Sequence, residues 1–102
     1  MASRLNLHEE LCDILGTESV YFQPPGSVRM SYPCIKYSLS GINQDFADNK
    51  NYKRTNQYQV IVIDEDPDST IHTSILEHFE MCSFDRWYPA DNLNHYVLTL
   101  YY

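Results

Sequence analysis

The chain predicts an α+β fold: a small mixed or antiparallel sheet with two helices packed on one face, in the order α-β-β-β-α-β-β. Three observations carry this reading. Leu7, Leu11, Ile14 and Leu15 recur at helical spacing near the start. Ile35, Tyr37 and Leu39 alternate with Lys36 and Ser38, the pattern of a strand with one buried face. Tyr58-Gln59-Val60-Ile61-Val62-Ile63 reads as a buried strand, and Ile71, Ile75 and Phe79 then recur at helical spacing. With 102 residues, 43% of them hydrophobic, the chain suits one globular domain over 1–102.

Each element has a local justification. Asn6 followed by Glu9 resembles a capping box for the first helix, and Gly16 is placed to close it in the left-handed conformation. Val20-Tyr21-Phe22 reads as a short strand, stopped by Pro24-Pro25-Gly26 because proline cannot donate to a ladder. A second strand is expected from Met30 to Leu39, with Pro33 confined to its start. Ser40 to Asn56 is long and polar, either a loop anchored by Phe46 or the extended tip of a hairpin. Met81 to Phe84 reads as a short strand, and Asp85 to Asn92 as a turn region holding Arg86, Trp87 and Pro89. His95 to Tyr102 reads as a last strand, which must be paired to avoid an exposed edge.

The junction between the third strand and second helix concentrates charge. Asp64-Glu65-Asp66-Pro67-Asp68-Ser69 places four carboxylates in six positions. As a helix start, Asp66 would be the N-cap, Pro67 the first helical residue and Asp68 a first-turn anion favoured by the helix dipole. As a cation site, Asp64, Asp66 and Asp68 alternate like calcium-loop ligands. The glycine and the downstream Glu of such a loop are missing, so the capping reading accounts for more residues.

The net charge is −7 and the pI about 4.8, which argues against tight binding of nucleic acid. Lys50, Lys53 and Arg54 are a local basic exception. Nine tyrosines suit half-buried strand faces and subunit interfaces. No apolar run of about 18 residues predicts a membrane span, and Met1-Ala2-Ser3-Arg4 does not read as a signal peptide.

Cys12, Cys34 and Cys82 suggest free thiols. His8 with Cys12 and His78 with Cys82 stand at i, i+4, but no Cys-x-x-Cys pair supports zinc. Cys34, His95 and Asp91 supply the residue types of a triad, yet Cys34 sits inside a strand rather than on a sharp turn. The residues predict no catalytic, cofactor or metal site, and no enzyme. The competing class is a small metal-dependent hydrolase using Asp64, Asp66 and Asp68; a third is a monomeric regulatory binding module.

The chain resembles the small tail terminator, or tail completion, proteins of long-tailed bacteriophages of Gram-positive hosts. The resemblance rests on Tyr32-Pro33-Cys34-Ile35, on the run from Tyr58 to Ser69, and on Cys82-Ser83-Phe84-Asp85-Arg86 through Ala90-Asp91-Asn92-Leu93-Asn94-His95 to Tyr101-Tyr102. It implies an α+β subunit without catalytic residues that forms a ring, typically a hexamer, at the head-proximal end of the tail tube. Such a ring ends tube growth and offers a docking face to the head connector. Neighbouring neck or head-closure proteins of similar size are the nearest alternative. The implied partners are further copies of the chain, the tail tube protein and the connector, with DNA passing through the lumen and no membrane involved. The implied location is the neck region of the virion, and the host cytoplasm during assembly. Asp45, Phe46, Lys50, Lys53 and Arg54, in the polar stretch, are the expected partner contacts.

Overall fold

The computed structural model describes residues 4–24, 26, 29–47 and 50–102, and the side chains of all of these except 43–47 and 50–54. The order is α1 (Arg4–Leu15), β1 (Val20–Phe22), β2 (Cys34–Ala47), β3 (Lys50–Asp64), α2 (Ile71–His78), β4 (Cys82–Ala90) and β5 (Leu93–Tyr101). The five strands form one mixed sheet in the order β1-β2-β3-β5-β4. Only β1 and β2 run parallel; the other neighbours are antiparallel. The α+β class and the element order therefore agree with the sequence pattern.

Both helices contribute to one core. Leu7 and Leu11 of α1, Ile75 of α2 and Phe79 just after it pack with Ile35, Tyr37, Tyr58, Val60, Val62, Tyr96, Leu98 and Leu100. Strand alternation explains the choice, since these positions share one face of the sheet. Tyr37 is buried, and its hydroxyl meets His8 Nδ1 at 2.8 Å and accepts from Arg4 Nη1 at 3.2 Å. That pairing ties the start of α1 to β2 and satisfies a polar tip placed in the core.

Several boundaries differ from the sequence expectation. α1 begins at Arg4, so Asn6 lies inside its first turn rather than capping it. Gly16 does close the helix: its φ is +83° and its N–H donates to the Cys12 carbonyl at 2.8 Å. β2 starts at Cys34, not Met30, and the Tyr32–Pro33 peptide bond before it is cis. β5 begins at Leu93 rather than His95.

Two corrections are larger. The stretch Ser40 to Asn56 is not a loop; it holds the far parts of β2 and β3, paired from Gly41↔Gln57 to Ala47↔Lys50. Its hairpin alternative is the one the structure adopts. Asp85 to Asn92 is not a turn region either, because β4 runs through Ala90. The reversal is confined to Asp91 and Asn92, both with positive φ (53° and 61°), the geometry that a tight hairpin asks of its two central residues.

Candidate functional site

The acidic junction is a turn, and it does not start the helix. Asp64 Oδ1 accepts from the Asp66 N–H at 3.1 Å, and Asp66 Oδ1 from the Asp68 N–H at 2.9 Å. These two Asx-type bonds fold the chain back over residues 64–68. The expected N-cap at Asp66 is thereby corrected: α2 begins at Ile71, after Thr70, and Ser69 Oγ accepts from the Ile71 N–H at 3.5 Å. The physical reason is competition, since the Asp66 carboxylate reaches the Asp68 amide first. Pro67 belongs to this turn, where its carbonyl accepts from the Tyr96 hydroxyl at 3.3 Å. Burial, then the nearby Asp64, Asp66 and Asp68 charges, push the Tyr96 hydroxyl above its ordinary range.

The remaining candidate residues are dispersed. Cys34 and His95 both pair across Ile63, on adjacent sides of β3, so about 10 Å of sheet separates them. Burial raises the Cys34 thiol to about 11, the reverse of what a thiolate nucleophile needs. His95 stacks on Tyr88 with centroids 4.7 Å apart. His8 turns to Tyr37, while His78 Nε2 meets Glu10 Oε1 at 3.0 Å. α2 ends at His78, so Cys82 lies on a different element. Among the described residues, no three His, Cys, Asp or Glu side chains converge as metal ligands would.

What the fold does assemble is a surface of two parts. The first is a ribbon. β5 backs β3 only from Gln57 to Asp64, and β1 backs β2 only from Ile35 to Tyr37. Among the described residues beyond Gly41 and Gln57, the two strands pair with each other, apart from the Tyr102 N–H donating to the Asn56 carbonyl at 2.9 Å, and extend about 20 Å past the sheet at ~3.3 Å per residue. The long axis of the molecule is 50 Å against 24 and 23 Å for the others. Asp45, Phe46, Lys50, Lys53 and Arg54 all lie on this ribbon; the register sets Asp45 across from Lys53, Phe46 across from Asn51, Gln44 across from Arg54 and Ala47 across from Lys50. At its base, Leu39 and Ile42 are exposed, contrary to the expected burial of Leu39, because the helices do not reach that far.

The second part is β4, the edge strand on the other side of the sheet. Phe84 and Trp87 are 46% and 49% exposed on the helix-bearing face, and Met81 just before the strand is 48% exposed. α2 covers them incompletely; His72 stacks on Tyr96 at 4.1 Å and reaches Phe84 at 6.2 Å. Burial holds the His72 imidazole below its usual range. Trp87 Nε1 donates to Asn94 Oδ1 at 3.3 Å, and Asn94 Nδ2 donates to the Asp64 carbonyl at 3.3 Å. Trp87 is thus fixed beside the acidic turn. Sequence reasoning put Phe84 at the end of a short strand and passed over Trp87 as a turn residue; Asp91-Asn92 between two strand-like runs was the signal that marks both as parts of one hairpin strand.

No protein-family model and no curated protein matches the chain. Among the described residues, no helix is long and apolar enough to cross a membrane.

Proposed function

We propose that this protein is a structural subunit of a bacteriophage tail, closing as a ring of six on the head-proximal end of the tail tube. It ends tube growth there and presents a surface to the head connector. The observation that carries the reading is the self-paired ribbon opposite an exposed aromatic edge strand. A two-stranded ribbon is marginal alone in water and gains from a surface to lie on. Half-exposed Phe84 and Trp87 have the composition of interface anchors. Two different patches on one subunit suit a head-to-tail contact, which closes into a ring when the rotation closes. The sequence likeness over Tyr58 to Ser69 and Cys82 to Tyr102 supplies the assembly in which such a ring serves.

The charge suits that role. Six copies of a 12.0 kDa chain of net charge −7 give about 72 kDa and −42. An acidic lumen repels phosphate, so a genome slides through it without sticking. The test is electron microscopy of tails assembled with and without the protein. Loss of uniform tail length, with a ring density at the tail end restored by adding the protein, is the expected result. Tails of normal length in its absence would overturn the role.

A further inference from the structure

We propose that the helix-free face of the sheet in one copy docks on the helix layer of a second copy, setting Lys36 and Arg86 against Glu9 and Glu77. The contact needs a second copy and no tail, so it stands or falls apart from the capping role. α1 and α2 pack on one face of the sheet, and strand alternation turns Cys34, Lys36, Ile61, Ile63, Val97 and Thr99 to the other. Register fixes a row across that face: Lys36 stands beside Ile61, Ile61 beside Val97 and Val97 beside Arg86. Three strand spacings put Lys36 and Arg86 about 14 Å apart along this row, one on each side of an apolar pair. β3 runs Val60-Ile61-Val62-Ile63 and β5 runs Tyr96-Val97-Leu98, apolar toward both faces. Such runs mark strands covered on both sides, yet the helices of one copy cover a single side.

The occupant is identified by charge. Among the described residues, neither Lys36 nor Arg86 pairs with a carboxylate; the Arg86 guanidinium lies 5.9 Å from the centre of the Tyr88 ring. Asp85, the carboxylate beside them, accepts from Thr99 Oγ1 at 3.2 Å. The helix layer has the opposite sign. Glu9 and Glu77 are exposed, each two residues on from a fully buried one, Leu7 and Ile75, and so turned to the far side of its helix. Asp13 is exposed one turn beyond Glu9. α2 has no lysine or arginine, and the one cation of α1, Arg4, lies 4.3 Å over the Phe22 ring and donates to the Tyr37 hydroxyl. Axes of packed helices run about 8–10 Å apart, so Glu9 and Glu77 form two acidic lines within reach of two long cationic side chains. The two faces lie on opposite sides of one subunit, so they meet only between copies, head to tail. Two helix-free faces set together would instead oppose Lys36 and Arg86 to like charges.

Charge reversal tests the contact on the whole chain. Self-association of four purified chains is measured by sedimentation: wild type, Lys36→Glu/Arg86→Glu, Glu9→Lys/Glu77→Lys, and the chain carrying all four changes. A cooperative melt of each shows that it is folded. Each pair of changes should weaken association at least about tenfold, and the four together should recover most of it. An equimolar mixture of the two paired variants should also associate. Glu9→Lys/Glu77→Lys makes a chain of −7 less negative, so general charge repulsion by itself would tighten its association; weakening there is specific to the contact. A wild type that stays monomeric at millimolar concentration, a Glu9→Lys/Glu77→Lys chain that associates like wild type, a fourfold variant as weak as the sum of its parts, or a species that stops at two copies would each overturn the contact. Tails that are capped normally while association ignores these charges would keep the cap role and sink this contact. Charge-dependent association with no effect on tail length would do the reverse.

Discussion

The Tyr102 hydroxyl donates to Glu10 Oε2 at 2.5 Å, joining residues 92 positions apart. Glu10 also receives His78, so one carboxylate ties α1 to α2 and to the end of the chain. The Tyr102 bond, then the His78 bond, hold the Glu10 carboxyl below its ordinary value of 4.5. The same bond pushes the Tyr102 phenol up to about 12 from 10.0. The sign follows from these directions. A depressed acid contributes stability above its unfolded value and loses it as pH falls through the folded one. A raised phenol contributes below 10.0 and loses it as pH rises toward about 12. Melting temperature should therefore fall below pH 4.5 and again above pH 10. Tyr102→Phe should flatten both limbs; thermal scans across pH check it, and unchanged limbs would refute the coupling.

Ile75 is fully buried where α2 meets the sheet. Burial of such a side chain is worth roughly 1.5–3 kcal/mol, in a domain holding about 5–15 kcal/mol in all. Ile75→Ala should lower stability by about 2–4 kcal/mol, and Ile75→Asp should leave no cooperative melt. A sharp melting transition in Ile75→Asp would show that α2 does not clamp the core.

The acidic turn is held by Asp side chains bonded to backbone amides. Asp66→Ala removes the 2.9 Å bond to the Asp68 amide and should cost about 1 kcal/mol, with Asp66→Asn nearly neutral because an amide oxygen accepts as well. Millimolar magnesium, calcium or manganese should leave the melting temperature unmoved. A rise of several degrees would instead mean that Asp64, Asp66 and Asp68 hold a cation, by the mass action of binding to the folded state.

Cys34 is fully buried and its thiol is raised to about 11. Alkylation at neutral pH should therefore spare Cys34 in the folded protein while Cys12, half-buried on α1, is modified first. Mass mapping after a timed iodoacetamide pulse reads the order. Rapid labelling of Cys34 would show that the β2 start opens readily.

Backbone amides of the ribbon, from Ile42 to Ala47 and Lys50 to Thr55, lie in a ladder of two strands, whereas Val60 to Ile63 lie in the middle of the sheet. Hydrogen exchange should be faster by orders of magnitude in the ribbon than in Val60 to Ile63. Tail tubes or high protein concentration should slow it. Ribbon amides as protected as the sheet centre in dilute protein would mean that the ribbon needs no partner.

What the sequence by itself determined was the set of elements that bury an apolar stripe. The 3.6-residue period of Leu7, Leu11, Ile14 and Leu15, and the run Tyr58 to Ile63, can be buried in few ways, so α1, β1, the inner half of β3 and the core face were legible. The tertiary structure decided where apolar periodicity was weak. Polar residues 43–56 carry no period of their own, and only strand pairing makes them a ribbon. The segment Cys82 to Ala90 contains Pro89 and Arg86, which read as turn residues, yet an edge strand tolerates both because its outer side owes no ladder bonds. Local chemistry marked Asp66 as a helix cap, but its carboxylate had a nearer donor in Asp68, and the start of α2 moved to Ile71. Pairing partners distant in sequence settle such positions, because the free energy that selects them comes from contacts the local pattern does not contain.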